Sequence, residues 1–275
     1  MQGKTVIITG ASDGIGKAAA RELKSQGAEV VIIGRSPEKT IALAQELDAM
    51  YYIADFSDLN KVRELAEKLL ATYPRIDVLA NNAGGIFGKR ELTTDGFEKT
   101  MQVNHLSHFL LTSLLLNTLI ASKATIINTS SIANGLFARL DIHDINMERR
   151  YSSNMAYGNA KLENILFTKE LQRRYGEQGI SAVAFHPGNV ATSFASDSNS
   201  ISRFMYQTPL KRMIGLTSPE VGAETLVWLA STTPNIDWQP GQYYYKKKIE
   251  KTNAMADDEN VAKSLWRQSE AMTKS

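Results

Sequence analysis

Short apolar runs rich in strand-forming residues recur along the first half of the chain, at 5–9, 29–33, 51–53, 78–80 and 125–128. None alternates clearly between apolar and polar positions, which is the pattern of parallel strands covered on both faces. Between them, apolar positions recur at helical spacing over about 15–27, 38–48, 58–73 and 94–121. Repeated strand, helix, strand units with right-handed crossovers predict an α/β fold built as one Rossmann-type doubly wound parallel sheet. A helix over about 155–175 and a strand over 181–185 extend the series, and Pro187-Gly188 breaks it. A helix at 219–231 and a strand at 242–245 complete the sheet. The charged tail, 246–275, turns helical from about 257.

Two stretches depart from this rhythm. Residues 189–218 hold no firm period and are rich in Ser, Asn and Thr. A long irregular stretch in such a domain reads as a substrate lid, with Phe194, Phe204, Met205, Tyr206, Met213 and Ile214 as an apolar lining, or as ordinary loop packing. Thr100 to Ser122 carries no charge and is long enough to span a bilayer. Its Asn104, His105, Ser107, His108, Thr112, Ser113, Asn117 and Thr118 would be costly in hydrocarbon, so a buried helix is expected instead. The N-terminus enters its first strand at Thr5 with no secretory apolar region before it. The expectation is a cytoplasmic protein with no membrane partner.

Composition narrows the chemistry. The 275 residues are 43% hydrophobic, with 31 basic and 29 acidic residues, for a net charge of +2. One globular domain is expected, and bulk charge gives no reason to expect a nucleic-acid partner. There is no cysteine, so disulfides, thiolate catalysis and cysteine-bound metals are excluded. The four histidines form no metal pattern with nearby acids, and His105 and His108 read as packing residues.

Thr9-Gly10-Ala11-Ser12-Asp13-Gly14-Ile15-Gly16 lies between the first strand and the first helix. Gly10 permits a tight turn, Gly14 lets backbone approach a pyrophosphate, and Gly16 lets the helix pack close to the sheet. The helix N-terminus offers free N–H groups to phosphate. No Gly-Lys-Ser/Thr follows, so this is not a nucleoside-triphosphate P-loop. After the second strand comes Gly34-Arg35-Ser36, with no acid to hold ribose hydroxyls and with an arginine able to pair with a 2′-phosphate. NADP(H) is therefore expected in preference to NAD(H). Lys17 either adds positive charge there or is an exposed helix lysine.

Tyr157 and Lys161 stand four apart on a helix, hence on one face. A tyrosine needs about 4 kcal/mol of help to ionise near neutral pH, and a neighbouring ammonium has the right sign. Ser130-Ser131 follows the strand at 125–128, at the sheet edge where ligands bind in open α/β folds. Spacing alone does not choose between the two serines.

These motifs, with Asn81-Asn82-Ala83-Gly84, Asn104 and His186-Pro187-Gly188, stand in the order seen in the short-chain dehydrogenases/reductases, and the chain resembles that superfamily over essentially its whole length. The segment from Arg150-Tyr151-Ser152 through Ala156-Tyr157, the run from Lys161 to Phe167, and the tail with Asp257-Asp258-Glu259, Leu265-Trp266 and Ser269-Glu270 resemble its retinol dehydrogenase-like branch. So does the gap of 26 between Ser131 and Tyr157.

The resemblance implies roles. Tyr157 would be the general acid or base, Ser131 would hydrogen-bond the substrate oxygen, Lys161 would assist Tyr157 and hold the nicotinamide ribose, and Asn104 would anchor a water in a proton relay. Ser12, Asp13 and Ile15 would meet the cofactor within the glycine loop. Asn81, Ala83 and Gly84 would line the adenosine ribose, Asp55 and Phe56 the adenine, and Pro187, Gly188, Val190 and Thr192 the nicotinamide end.

There are departures. Ala160 replaces a serine often found before the lysine. Asp13 occupies a position often basic in NADP-preferring members, which weakens that preference. Most eukaryotic retinol-type relatives carry an N-terminal membrane anchor, whereas this sequence starts at its first strand, so a soluble enzyme is expected. The related protochlorophyllide reductases need a cysteine that is absent here.

The expected partner is a small carbonyl or alcohol substrate, apolar in character. The helices near 101–121 and 155–175 would form the homodimer or homotetramer interface usual in the superfamily. A redox-inert NADP-binding regulator is the alternative, against which the intact Ser131, Tyr157 and Lys161 set argues. Tyr243-Tyr244-Tyr245 reads as a buried strand, and Lys246-Lys247-Lys248 as a solvated turn or a basic contact patch.

Overall fold

The computed structural model describes residues 1–190 and 217–274. Eight strands form one sheet in the order β3-β2-β1-β4-β5-β6-β7-β8. They are β1 (Thr5–Thr9), β2 (Glu29–Gly34), β3 (Met50–Ile53), β4 (Val78–Asn81), β5 (Thr125–Thr129), β6 (Ser181–Phe185), β7 (Tyr243–Tyr245) and β8 (Lys248–Ile249). The first seven pair in parallel, and only β8 runs antiparallel. The strand order reverses between β1 and β4, the crevice where such folds bind ligands.

Helices cover both faces. They are α1 (Gly14–Ser25), α2 (Pro37–Leu47), α3 (Leu59–Thr72), α4 (Lys99–Met101), α5 (Ser107–Ala121), α6 (Ala133–Leu136), α7 (Ser153–Tyr175), α8 (Pro219–Ser231) and α9 (Glu259–Thr273). Side chains alternate across the sheet. Val6 and Ile8 pack with Ala19, Leu23, Leu226 and Leu229 under α1 and α8. Ile7 packs on the other face with Val62, Leu69, Phe109 and Leu111 under α3 and α5. Capping side chains set the helix starts. Asp13 caps α1, Ser36 with Pro37 behind it caps α2, Asp58 caps α3, Ser152 caps α7 and Ser218 caps α8.

The segment expected as one helix over 94–121 is divided. Glu98 caps α4 by accepting from the amides of Thr100 and Met101, and a π-helical turn, Gln102–Leu106, separates α4 from α5. Wide turns of this kind concentrate at functional sites, and this one carries Asn104. Two-thirds (67%) of the most apolar window in 99–121 is buried inside the fold, as the polar groups along it require.

The lysine run forms a two-residue hairpin turn. Lys246 (φ 45°) and Lys247 (φ 63°) both take left-handed backbone, and Lys248 begins β8. Part of the surface that α5 and α7 present is covered within the chain itself. Trp266 on α9 meets Phe109 edge-on with ring centres 5.0 Å apart and lies 5.8 Å from Phe167. The stretch 189–218 falls almost wholly outside the described residues, as do Thr192, Phe194, Phe204, Met205, Tyr206, Met213 and Ile214.

Candidate active site

A cavity of about 510 Å3 opens along the C-terminal ends of the parallel strands. Its floor is the β1–α1 turn. Gly10 has φ 65°, and a Cβ there would lie 2.8 Å from Ala83 Cα. A Cβ on Gly16 would strike the Gly10 carbonyl oxygen and come within 2.7 Å of Asn82 Nδ2. Glycine is thus required by close approach of loop, helix and β4, as the sequence anticipates. Ser12, Asp13, Gly14 and Ile15 line the same floor. Asp13 Oδ1 accepts from the Gly14 amide at 2.7 Å and so starts α1.

One hydroxyl holds this floor to the next strand. Thr9 Oγ1 accepts from the amides of Asn82 and Ala83, each at 2.9 Å. His108 Nε2 lies 3.0 Å from the same oxygen, and His108 Nδ1 lies 3.1 Å from the Asn104 carbonyl. Burial pulls His108 down to about 3, so the ring is neutral. A carbonyl only accepts, so Nδ1 carries the hydrogen and Nε2 accepts from Thr9. His108 thereby couples the glycine turn to the π-helical turn.

One end of the cavity is lined by Arg35, Ser36 and Lys39 from the β2–α2 connection, with Asp55 and Phe56 after β3. Asp55 Oδ1 accepts from the amide and hydroxyl of Ser57, which fixes the turn. Ala83 and Gly84 line the cavity, but Asn81 does not. Asn81 points inward and donates to Thr112 Oγ1 (3.0 Å) and Asn128 Oδ1 (2.9 Å). Its neighbour Asn82 takes the cavity position and donates to the Thr9 carbonyl at 3.0 Å. The reason is the two-residue period of a strand, since Asn81 is still within β4.

Ser131, Tyr157 and Lys161 lie at the other end, with Pro187, Gly188 and Val190 beside them. The two serines are unlike. The Ser130 hydroxyl is buried and donates to the Lys161 carbonyl at 2.7 Å, whereas Ser131 is partly exposed and its Oγ accepts from the Ala133 amide. Asn134 Nδ2 donates to the Ser131 carbonyl (2.7 Å) and to the Tyr243 hydroxyl (3.2 Å), which holds the Ser131 backbone against β7.

Lys161 is buried, with Nζ 5.4 Å from the Tyr157 ring centre, and donates to the Thr129 carbonyl at 3.1 Å. Burial lowers its ammonium to about 7. Gly188 has φ 83°, and its amide donates to His186 Nδ1 at 3.1 Å.

Asn104 is fully buried beneath this end and does not line the cavity. Its side chain accepts from the Gly85 amide and donates to the carbonyls of Gly85 and Thr100. Asn164 Nδ2 donates to its backbone carbonyl at 3.1 Å. A Cβ on Gly84 would press on Asn104 Oδ1 and come within 3.3 Å of Lys161 Nζ, so the two side chains meet across that glycine.

Thr9, Ser36 and Asn82 stood in the quoted motifs without a role, and Lys39 was not singled out. A second asparagine beside Asn81, and a lysine one turn after Arg35, were the available signals.

Residues 4–202 match the family model for short chain dehydrogenases. DnrU of Streptomyces sp. (strain C5), described as a candidate daunorubicin C-13 ketoreductase, is 39% identical over 98% of this chain and 93% of its own length. Human retinol dehydrogenase 13 is 37% identical over 97% of this chain and 83% of its own. The solved RhlG/NADP complex of Pseudomonas aeruginosa has a TM-score of 0.70 at 26% identity, over 88% of this chain and 94% of that one. A glycine turn on a doubly wound sheet, a serine at the end of β5 and a Tyr-x-x-x-Lys helix over one cavity agree with these matches, and the chain belongs to the short-chain dehydrogenase/reductase family of oxidoreductases, in its retinol dehydrogenase-like branch.

Proposed function

We propose that the protein interconverts a carbonyl, an aldehyde or ketone of apolar character, and the corresponding alcohol, with NADP(H) preferred to NAD(H). The observation that carries this reading is the convergence of Ser131, Tyr157 and Lys161 on the cavity floored by the glycine turn. The residues present fit a nicotinamide dinucleotide. Glycines at 10 and 16 keep the floor open where a Cβ would collide, and α1 points its free N–H groups there. The bound nicotinamide would supply the hydride.

The chain's own groups do the rest. In the reductive direction the Tyr157 hydroxyl gives its proton to the carbonyl oxygen as that oxygen gains charge. The Ser131 hydroxyl donates a hydrogen bond to the same oxygen and stabilises the charge. Lys161 favours the phenolate left on Tyr157 while it holds its proton. Asn104 acts from below, by fixing Gly84 and Gly85 beside Lys161. At the far end of the cavity Arg35 would pair with a ribose 2′-phosphate, and its presence there with no acid at the end of β2 supports the preference for NADP(H). The names of DnrU and of the retinol dehydrogenases, a ketoreductase and alcohol oxidisers, agree with a carbonyl/alcohol pair as substrate.

The test is Tyr157→Phe, assayed with carbonyl substrates and for cofactor binding. Turnover falls by about a hundred- to ten-thousandfold while NADPH affinity changes little, the scale of losing a general acid. Undiminished turnover would refute the proposed role.

A further inference from the structure

The loop that carries Ser131 is tied to the helix of Tyr157 and Lys161 by side chains that the proposed chemistry leaves idle. Asn134 is buried on α6. Its Oδ1 accepts from the Asn253 backbone amide at 2.9 Å, a group that can only donate. That contact fixes the orientation of the side-chain amide. Nδ2 is thereby turned to the Ser131 carbonyl at 2.7 Å, a group that can only accept. The second hydrogen on Nδ2 goes to the Tyr243 hydroxyl at 3.2 Å.

The Tyr243 hydroxyl has Ser130 as a further hydrogen-bonding neighbour, and burial keeps its proton in place. The Ser130 hydroxyl gives its own hydrogen to the Lys161 carbonyl at 2.7 Å, so it accepts from Tyr243. One chain of hydrogen bonds thus runs in a single direction, from Asn134 through Tyr243 and Ser130 to α7 at Lys161. The far end of the same segment is also fixed, since Asn159 Oδ1 accepts from the Arg139 amide at 2.8 Å. Between these ties α6 lies against α7 at Gly158, where a Cβ would come within 2.6 Å of the Ala138 nitrogen. All three attachments fall within four residues of Tyr157.

We propose that Asn134 and Tyr243 are positioning residues for the catalytic set: they hold the Ser131 backbone against α7, so that the Ser131 and Tyr157 hydroxyls address one substrate oxygen. Neither has to touch the substrate. Misplacement of a reacting group by about 1 Å costs up to a hundredfold in rate, so a rigid tie matters. Asn253 extends the device to the C-terminal segment, because its amide orients Asn134. The inference rests on the carbonyl/alcohol reading above and adds the residues that hold its geometry.

Tyr243→Phe removes one oxygen and keeps the ring, which lies in a core cluster with Leu162, Ala184 and Leu265. Asn134→Asp keeps the shape and replaces the donor that faces the Ser131 carbonyl. The experiment measures kcat and KM for a carbonyl, Kd for NADPH and the thermal midpoint. It uses the parent, Tyr243→Phe, Asn134→Asp, Ser131→Ala and the double variant Ser131→Ala/Tyr243→Phe. Long incubations bring the slow Ser131→Ala rate into reach.

Tyr243→Phe lowers kcat about tenfold and leaves KM and NADPH Kd close to the parent. Without the Ser131 hydroxyl the same change costs less than about twofold, because its effect is transmitted through Ser131. Asn134→Asp adds a pH signature. Burial favours the neutral acid, whose O–H donates where the N–H did, whereas the carboxylate repels the carbonyl. Its kcat relative to the parent is therefore highest near about pH 5.5 and falls as pH rises to about 8.

An equal fractional loss from Tyr243→Phe with and without the Ser131 hydroxyl would make its role merely structural and overturn the proposal. A constant Asn134→Asp to parent ratio across that pH range would remove Asn134 from it. Should the parent bind NADPH and reduce no carbonyl, the functional reading falls and takes the inference with it. Should the parent turn over, Ser131→Ala lose that turnover, and Tyr243→Phe and Asn134→Asp match the parent, the inference alone falls.

Discussion

Burial pulls the Lys161 ammonium down to about 7, because its Nζ has a backbone carbonyl for company and almost no water. The sequence offers Lys161 as a cation one helical turn from Tyr157, and its spacing is legible without a structure. Its cost is not, since that depends on Thr129, Gly84 and Asn104 closing around it. The sign follows directly. A lysine lowered in this way keeps its charge below about pH 7 and loses it above. If the charge holds the nicotinamide ribose, kcat/KM for NADPH falls as pH rises through about 7, because that ratio reports the free enzyme. A profile flat to pH 9 would contradict this. Spacing did not separate Ser130 from Ser131, since both follow the same strand, and only the resemblance named Ser131. What distinguishes them in the fold is the Lys161 carbonyl, which lies 31 positions away in sequence and accepts from Ser130. Asn81 misled for a similar reason, because one residue more or less of β4 exchanges cavity for core.

At the scale of elements, strands and helices read well where apolar period and caps agree. β1, β6 and α8 were anticipated to the residue, and the other five anticipated strands and the helices fell within a few positions, apart from the start and division of 94–121. The division of 94–121 was hidden by unbroken hydropathy, and its only marker is Glu98 acting as a cap. β8 was hidden because its turn uses two lysines in left-handed backbone, where Asn-Gly is the usual signal. The short α6 carries no period long enough to detect.

Helix α7 holds a further group that the proposed chemistry does not use. Glu163 is buried, and its Oε2 has no hydrogen-bond partner among the described residues. Burial, with the Glu98 carboxylate nearby, raises it to about 8 from an ordinary 4.5. Below about pH 4.5 it is protonated whether folded or not and costs nothing. Between about 4.5 and 8 the unfolded chain ionises while the folded one keeps its proton, so stability drains by ~1.4 kcal/mol per pH unit. Glu163→Gln escapes this. Urea unfolding at pH 5 and pH 8 should show the variant gaining on the parent by several kcal/mol at the higher pH. An equal difference at both values would show that Glu163 ionises freely.

Across the whole molecule, the sheet brings residues from six connections to one edge, so the site is assembled only when the fold is complete. The C-terminal helix closes the opposite flank. Trp266 packs on Phe109, Phe167 and Tyr175, with the Arg174 guanidinium 4.5 Å from its ring centre. Ser269 Oγ lies 2.9 Å from the buried His105 Nε2. Trp266→Ala should cost about 3–5 kcal/mol of stability, the range for deleting a large buried aromatic. Thermal or denaturant unfolding checks it, and a loss below about 1 kcal/mol would mean that α9 is only loosely docked. Because Phe109 follows the π-helical turn that carries Asn104, the same variant should also lower turnover at temperatures where it remains folded.

The most direct measurement follows the hydride itself. NADPH carrying deuterium at both nicotinamide C4 positions is incubated with the protein and a panel of apolar aldehydes and ketones, and the alcohols are weighed by mass spectrometry. The account predicts one deuterium on the former carbonyl carbon, in amounts that collapse with Tyr157→Phe. Tight NADPH binding with no labelled alcohol from any carbonyl would contradict it, and would favour a cofactor-binding regulator on the same fold.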